Sequence, residues 1–280
     1  MASTLPLGEL AISERELAGV IKLVYERSGI TLHDGKRALI LARLQKRLRA
    51  GGFASFTAYL QHVESDTSGQ ELVALLDAIA TNHTSFYRES QHFDYLVSTV
   101  IPAWQQSGRP TLDIWSAACS TGEEPFTIAM TLLDHLPAAD HARVRIRASD
   151  MSTKALARAR AAVYPMEKVR ELPMSILRTH FEKGLGAQAG TARVKPHVRR
   201  MVTFEQRNLL DPAQLGQHFD VIFCRNVMIY FDRVVQQRVV SLLERHLVPE
   251  GYLFISHSES LSAVTHALRS VAPAVFRRRT

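Results

Sequence analysis

The stretch Asp113-Ile-Trp-Ser-Ala-Ala-Cys-Ser-Thr-Gly-Glu-Glu-Pro125 decides how the rest of the chain is interpreted. An apolar β-type run gives way to four small residues and a glycine, and an acidic pair then opens a segment with apolar residues at helical spacing. This pattern predicts a strand, a tight turn and a helix N-terminus. The spacing of Thr121 and Glu124 predicts a capping box, and Pro125 falls in the first helical turn, where proline is tolerated.

Small residues in this turn would let a ligand approach the backbone closely. The usual dinucleotide fingerprint places a pyrophosphate at the positive end of the helix, but Glu123 and Glu124 would repel phosphate. A cationic ligand with an adenosine moiety fits better, and S-adenosylmethionine carries a sulfonium and an ammonium group without a phosphate. The alternative is an ordinary βα turn whose acidic residues are favoured by the helix dipole. The turn alone does not separate these two interpretations.

Length and composition indicate an ordinary globular protein, because 280 residues with 46% hydrophobic and 22% charged residues can form two domains. No apolar run approaches the roughly 20 residues of a membrane span, and no signal-peptide pattern is present, so a cytoplasmic location is expected. Cys119 and Cys224 lie in or next to apolar runs, which predicts reduced core residues. The histidines lack metal-ligand spacing, so no metal is expected. A net charge of +7 suggests an acidic partner, either nucleic acid or protein.

Residues 1–80 have the pattern of a helical domain. Ser13 precedes a periodic apolar segment that ends at Gly29, and a second helix is predicted from about His33 to Arg49. From Lys36 to Arg49 this second helix is rich in basic residues, with no acidic residue between them, and they include Arg43, Lys46, Arg47 and Arg49. It could be a solvated surface or a docking face. Without a nucleic-acid module or interleaved aromatic residues, a docking face would favour an acidic protein helix.

Residues 81–92 form a predicted linker that contains Thr81-Asn-His-Thr-Ser-Phe-Tyr-Arg-Glu89. Its polar residues could cap a helix or serve as a lid over a neighbouring site. The chain from residue 93 then alternates helix and strand, which predicts a βαβ unit. Its second strand ends at Asp150, a position that binds ribose hydroxyls in nucleoside-binding α/β folds, although a helix N-cap is the alternative.

Residues at about 165–200 interrupt this alternation with prolines and a glycine cluster, and they predict an inserted hairpin. The pattern resumes with the apolar strand Phe219-Asp-Val-Ile-Phe-Cys224, which ends in Arg225 and Asn226. Polar groups again follow the carboxyl end of a strand, where ligands bind in open α/β sheets.

Taken together, these stretches resemble the chemotaxis receptor glutamate O-methyltransferases, which esterify glutamate side chains of chemoreceptors with S-adenosylmethionine. The resemblance rests on residues 81–89, on 115–125, on Ala148-Ser-Asp150, on Asn208-Leu209 and on residues 219–232, and it covers nearly the whole chain. It implies an all-helical N-terminal domain (1–80), the linker (81–92) and a Rossmann-like α/β methyltransferase domain (93–280) with a small inserted β subdomain (about 165–200).

The resemblance also implies site residues and partners. The residues implied to line the cofactor site are Asn82, Thr84, Arg88, Glu124, Asp150, Asn208, Leu209, Arg225 and Asn226. Arg88 and Tyr230 are expected to orient the substrate carboxylate and to shape the methyl-transfer site. The implied partner is the cytoplasmic helical domain of a chemoreceptor, with a receptor C-terminal peptide at the β subdomain. From the charge pattern of the second helix, we expect Arg43, Lys46, Arg47 and Arg49 to form the docking face. The protein is expected to be a monomer without membrane insertion or nucleic-acid binding.

Other classes fit less well. A nitrogen-methylating enzyme would carry an Asp/Asn-Pro-Pro-Tyr/Phe motif after the fourth strand, where this chain has Arg225-Asn-Val-Met. A catalytically silent binding module would have lost cofactor residues, and none of the implied ones is missing. The remaining alternative is an S-adenosylmethionine-dependent methyltransferase that acts on another acidic protein or on nucleic acid.

Overall fold

The computed structural model describes residues 12–32, 37–79, 83–211 and 216–279, although the side chains of 37–40 are outside the description. The chain divides into two units, residues 1–81 and 82–280. No helix in the described part of the chain is both long and apolar enough to cross a bilayer.

The first unit contains only helices among its described residues. These are α1 (Glu14–Ser28), α2 (Arg37–Gly51), α3 (Phe56–Ser65) and α4 (Gln70–Ile79). Helix α1 begins with the capping box of Ser13 and Glu16 and ends at Gly29, which takes the left-handed φ of 71° that favours glycine at a helix end. Both ends of α1 therefore follow the sequence signals. The predicted start of α2 at residue 33 lies outside the described residues.

The basic face of α2 is less free than its composition suggests. Arg47 donates two hydrogen bonds to the carboxylate of Glu71 on α4, and Arg43 donates to the main-chain oxygen of Ile79 at 2.8 Å. Lys46 and Arg49 are exposed. Only part of the basic face is therefore available to a partner, because two of the four predicted docking residues, Arg43 and Arg47, hold α2 against α4.

The second unit begins with a helical segment and a central sheet. Its helices are α5 (Gln91–Tyr95), α6 (Ile101–Ser107), α7 (Glu123–His135), α8 (Thr153–Ala161), α9 (Met174–His180), α10 (Pro196–Arg199) and α11 (Arg233–His246). A short π-helix, Leu96–Val100, joins α5 to α6. The strands are β1 (Leu112–Ser116), β2 (Val144–Asp150), β3 (Val163–Pro165), β4 (Phe181–Lys183), β5 (Thr191–Val194), β6 (Val202–Gln206), β7 (Phe219–Phe223), β8 (Leu247–Phe254), β9 (Arg269–Ala272) and β10 (Val275–Arg277).

Seven strands form the central sheet in the order β6-β2-β1-β7-β8-β10-β9. The neighbours from β6 to β8 pair in parallel, whereas β10 is antiparallel to both β8 and β9. The central strands β1 and β7 are buried over most of their length, which explains their largely apolar sequences, whereas β2 and the edge strand β6 carry partly exposed polar residues. This architecture confirms the α/β methyltransferase-type fold class predicted from the sequence.

The core lies between the sheet and its helices and is built on aromatic side chains. Trp115, Phe126, Phe223 and Phe254 are essentially fully buried, and the rings of Phe223 and Phe254 stack with centroids 4.5 Å apart. The indole of Trp115 donates to the Ser149 hydroxyl at 2.9 Å, so its polar atom is satisfied. Each buried aromatic ring of this size contributes about 1.5–3 kcal/mol from removal of apolar surface from water. This core fixes β1 and β7, whose carboxyl ends form the site described below.

The three remaining strands form a separate small sheet in the order β3-β5-β4. Strands β4 and β5 pair antiparallel, and the predicted glycine-rich hairpin is the loop that joins them. Strand β3 adds a third antiparallel strand, which the sequence pattern did not indicate. The insertion is thus a three-stranded sheet with β4 at one edge.

Candidate functional site

The carboxyl ends of the parallel strands form the edge at which the sequence places most polar residues. Strands β2 and β6 lie on one side of β1, whereas β7 and β8 lie on the other. Strand order therefore reverses between β1 and β7. Open α/β sheets bind ligands in the crevice at such a reversal, outside the carboxyl ends of the strands.

The turn after β1, residues 117–122, is tied to both neighbouring strands. Ala117 N–H donates to the Phe223 oxygen at 2.8 Å, and Cys119 N–H donates to the Ser149 oxygen at 2.9 Å. Ser120 takes a left-handed φ of 49°, which is uncommon for a residue other than glycine. Its hydroxyl is buried without a hydrogen-bond partner. A buried unpaired hydroxyl at a strained turn is typical of a ligand site, because the missing partner can come from the ligand.

The predicted capping box at the start of α7 is not formed. Gly122 is the N-cap residue, and the Thr121 hydroxyl donates to the Glu123 carboxylate at 2.6 Å instead of accepting from the helix. Gly122 has a φ of 95°, and a Cβ atom there would lie 2.9 Å from the Ala159 Cβ atom and 3.0 Å from the Tyr164 hydroxyl. The glycine is therefore required by helix packing against α8, and ligand approach is not what excludes a side chain at this position.

The two glutamates in the first turn of α7 have different partners. Glu123 is fully buried and forms an ion pair with Lys168. Glu124 accepts from the Ser116 hydroxyl at 2.7 Å and from Arg225 Nη1 at 3.0 Å. Only Glu124 therefore belongs to the strand-end crevice, whereas Glu123 stabilises the contact with the segment after β3.

Arg225 is the centre of the site. Its side chain is 2% exposed, and its Nη2 atom donates to the Glu89 carboxylate at 2.9 Å and to the main-chain oxygen of Arg88. Glu89 also accepts from the Ser256 hydroxyl at 2.7 Å. We call Arg225, Glu89, Glu124, Ser116 and Ser256 the Arg225 network. It joins the linker, the β1–α7 turn and the ends of β7 and β8.

The electrostatics of the network are dominated by Glu89. Although burial opposes it, hydrogen bonds from Ser256 and Arg225 lower the pKa of Glu89 to about 2. Tyr87 and Glu89 both take left-handed φ values, 52° and 56°. The linker backbone beside Arg88 is therefore strained, and charged hydrogen bonds hold it in that conformation.

A second set of contacts fixes the segment after β7. Asn226, with a φ of 58°, donates through Nδ2 to Ser256 at 2.7 Å. The carboxylate of Glu259 accepts from the main-chain N–H groups of Asn226, Met228 and Ser256 at 3.1, 2.8 and 2.8 Å. Burial raises the pKa of Glu259, although these N–H groups act in the opposite direction. Glu259 thus acts as a structural support for the segment that contains Asn226.

Asp150 at the end of β2 accepts from Ser120 N–H and from Ser152 N–H, both at 2.8 Å. The N-cap of α8 is Ser152, whose hydroxyl accepts from Ala155 N–H. The alternative that Asp150 is the N-cap of the next helix was therefore wrong, because the N-cap lies two residues later. Burial raises the pKa of the Cys119 thiol, and the charges of Asp150 and Glu124 raise it further. Cys119 thus lies close to both carboxylates.

The other predicted site residues lie around this core. Asn208 and buried Leu209 follow β6, and their segment is joined to β2 by the hydrogen bond from Arg207 N–H to the Asp150 oxygen at 3.0 Å. Thr84 is half-buried in the linker, and the Arg88 side chain turns back to the His83 oxygen at 3.0 Å. Tyr230 is half-buried in the 3-10 helix Met228–Tyr230. Asn82 lies outside the described residues.

Sequence spacing missed a cluster of Glu89, His92 and His257, whose potential ligand atoms lie within 4.8 Å of one another. The two imidazole rings stack with centroids 4.7 Å apart and planes inclined by 9°. An imidazole binds a metal in its own ring plane, so two parallel stacked rings cannot share one ion in this arrangement. His92 is 1% exposed, and neither ring nitrogen has a hydrogen-bond partner. Burial, followed by the charge of Arg225, lowers its pKa to about 4.

The donor set suits the cationic ligand predicted from the sequence. Three carboxylates, Glu89, Glu124 and Asp150, outnumber the two guanidinium groups of Arg88 and Arg225 at this edge. S-adenosylmethionine carries one net positive charge, and its ribose and ammonium groups donate hydrogen bonds that carboxylates accept. The unpaired hydroxyl of Ser120 adds a polar atom in the same turn.

Comparison with known proteins finds matches over nearly the whole chain. One family model, described as "CheR methyltransferase, all-alpha domain", matches residues 15–80, and another, described as "CheR methyltransferase, SAM binding domain", matches residues 82–276. The chain is 37% identical over 276 residues to a chemotaxis protein methyltransferase of Borreliella burgdorferi, with 95% of each chain covered. It is 39% identical to chemotaxis protein methyltransferase 2 of Pseudomonas aeruginosa, with 96% of this chain and 94% of the relative covered. It is also 39% identical to the chemotaxis protein methyltransferase of Escherichia coli, with 94% and 93% covered.

Proposed function

Because this chain belongs to the CheR methyltransferase family, we propose that it transfers a methyl group from S-adenosylmethionine to glutamate side chains of chemoreceptors in chemotactic adaptation. The observation that carries the proposal is the Arg225 network, which joins four segments of the predicted site around two carboxylates. The product would be a glutamyl methyl ester, and the proposed place of reaction is the cytoplasm.

We propose that the cofactor site is lined by the residues predicted from the sequence. Asp150 would bind the ribose hydroxyls, because the Ser120 and Ser152 N–H groups hold its carboxylate at the strand end. Glu124 would lie beside the ammonium group, held by Ser116 and Arg225. The remaining members of the proposed site are Asn82, Thr84, Arg88, Asn208, Leu209, Arg225 and Asn226. The guanidinium of Arg225 is engaged with protein groups, so its proposed role is to position Glu124 and the linker.

The bound cofactor supplies a methyl group on a positively charged sulfur. A glutamate carboxylate has a reference pKa of about 4.3 and is ionised at neutral pH, so the side chain that attacks the methyl carbon needs no general base. The protein therefore contributes position and exclusion of water, which in well-oriented systems supply about 7–11 kcal/mol of the barrier. We propose that Arg88 and Tyr230 orient the substrate carboxylate.

For the partner, we propose an acidic receptor helix at α2. Lys46 and Arg49 are the exposed members of the predicted docking face, whereas Arg43 and Arg47 contact α4 residues within the same unit. A receptor C-terminal peptide could add to β4, which is an edge strand of the small sheet. These two contacts are independent of the chemistry at the strand ends.

The test is incubation with methyl-labelled S-adenosylmethionine and the cytoplasmic fragment of a chemoreceptor from the same source. We expect label that is released by base, as a methyl ester requires. Arg88→Ala should lower both cofactor affinity and turnover, whereas Tyr230→Phe should lower turnover with cofactor affinity nearly intact. Base-stable label, or transfer to RNA or DNA instead of the receptor, would refute the proposal and favour the alternative substrate classes.

A further inference from the structure

The exposed face of α11 has a pattern that the site does not use. Val234, Arg238, Ser241 and Arg245 recur at intervals of four, three and four residues, which places them on one side of the helix. Val234, Arg238 and Arg245 are exposed and Ser241 is half-buried, while the opposite side packs into the core. We call these four residues the α11 stripe. Its spacing is that of a helix seam, and its length is about 16 Å, or three turns.

The stripe is basic and apolar, and neither Arg238 nor Arg245 forms an ion pair with the residues that the structure describes. The acid nearest in sequence on α11 is Glu244, whose carboxylate accepts from Ala267 N–H at 3.0 Å on the flank of the helix. The other flank residue, Gln237, donates to the Thr265 oxygen at 2.7 Å. These contacts cover one side of α11 with the segment 265–267. They leave the stripe itself open.

The N-terminal end of the stripe adjoins the proposed transfer site. Helix α11 begins at Arg233, three residues after Tyr230, and Gln236 donates from its first turn to the main-chain oxygens of Met228 and Phe231, both at 3.1 Å. Ile229, in the same turn as Tyr230, is 46% exposed, and Val234 is 65% exposed. The turn that contains Tyr230 and the start of the stripe therefore form one fixed surface.

Arg238 and Arg245 give the stripe two positive charges. Its exposed apolar side chain, Val234, lies at the end nearest Tyr230. Arg233 lies about 100° around the helix from Val234, on the side of Gln237, and is not part of the stripe.

We infer that the α11 stripe is a contact surface for the acidic helix that carries the methylated glutamate. This inference rests on the proposed function. A substrate helix that presents a glutamate to Tyr230 continues past that residue on the protein surface, and glutamate-rich turns of such a helix complement Arg238 and Arg245. Val234 and Ile229 would contact the apolar positions next to the target residue. A lipid or nucleic-acid surface would need only the charges, whereas the helical spacing and the apolar end favour a helix.

The matched control lies on α8 of the same unit. Lys154 and Arg158 are exposed and one helical turn apart, and their side chains form no hydrogen bond or ion pair with the residues that the structure describes. Reversing both changes the net charge by the same four units as reversing Arg238 and Arg245. A difference between the two double variants therefore reports local contact and not the overall field of the protein.

The experiment measures methylation kinetics with a soluble receptor fragment for the wild type, R238E/R245E and K154E/R158E. We expect R238E/R245E to raise the KM for the receptor roughly tenfold, with the affinity for S-adenosylhomocysteine unchanged, and K154E/R158E to change it less than about threefold. Val234→Ser, which keeps the charge, should raise the same KM about threefold. The unchanged cofactor affinity also shows that each variant is folded.

Equal effects of the two double variants, or a wild-type KM for both R238E/R245E and Val234→Ser, would overturn the inference while leaving the proposed function intact. If the wild type itself gives no base-labile label, the proposed function fails, and this inference fails with it. The inference would also be overturned if the wild type bound RNA or anionic vesicles without receptor and R238E/R245E abolished that binding while its KM for the receptor stayed unchanged.

Discussion

Replacing Glu89 by glutamine tests whether the Arg225 network contributes to stability. Arg225 is 2% exposed in its side chain, and Glu89 is one of its two carboxylate partners. The pKa of Glu89 falls from its usual 4.5 to about 2, and this difference corresponds to about 3 kcal/mol of folding free energy. Because the pKa is lowered in the folded state, this stability is fully present above pH 4.5 and is lost as the pH falls from 4.5 to 2.

We therefore expect the free energy of unfolding of E89Q to be about 3 kcal/mol lower than that of the wild type at pH 7, and we expect this difference to shrink below pH 4.5. Urea unfolding followed by tryptophan fluorescence is a suitable assay, because both tryptophans, Trp104 and Trp115, lie in the second unit. Measurements at pH 7, 5 and 3.5 cover the window.

The matched control is E250Q. Glu250 pairs with Arg277 at 2.8 Å, but the two side chains are 39% and 30% exposed, so the expected loss is less than about 1 kcal/mol. A loss in E89Q no larger than that in E250Q, or one that persists unchanged at pH 3.5, would refute the reasoning.

Three further predictions concern other parts of the second unit. Asp150→Ala should weaken binding of S-adenosylhomocysteine by at least about 1 kcal/mol in calorimetry, and an unchanged affinity would remove Asp150 from the site. Lys168→Met should lower the free energy of unfolding in urea by about 3–5 kcal/mol, because it leaves the fully buried Glu123 carboxylate without its ion-pair partner. Adding Glu123→Gln should restore most of this loss. A double variant as unstable as the single variant would contradict this prediction. The free energy of unfolding of the wild type should fall by about 3 kcal/mol between pH 6.5 and pH 4, because the pKa of His92 is lowered to about 4 and only the unfolded chain takes up the proton in this range. His92→Phe should lack this part of the decline. Identical stability profiles of the two proteins against pH would exclude this role of His92.

The sequence was sufficient for features set by neighbouring residues. The strand, turn and helix at 112–135, the start of the first helix after Ser13 and the polar residues after β2 and β7 follow from short-range patterns. The fold class follows because alternating elements with apolar strands leave few arrangements. Local reasoning failed at Thr121, where a capping interaction competes with the nearby Glu123 carboxylate.

Contacts between distant residues were beyond such reasoning. Nothing near Arg47 in sequence indicates that Glu71 neutralises it, and the different directions of Glu123 and Glu124 depend on Lys168 and Arg225. Glu89 was not predicted as a site residue, because its partners follow β7 and β8. The clue available was its position next to Arg88, at the end of a polar linker.

The Arg225 network also affects the order in which contacts form as the protein folds. Arg225 is separated by 101 residues from Glu124 and by 136 from Glu89, so these bonds close some of the longest loops in the second unit. Closing long loops is slow and comes after local structure has formed. A chain that ends before residue 225 lacks the guanidinium that joins Glu124 to the linker. We therefore expect cofactor binding to require the complete second unit. Binding is then a better measure of complete folding of this unit than the formation of any single helix or strand.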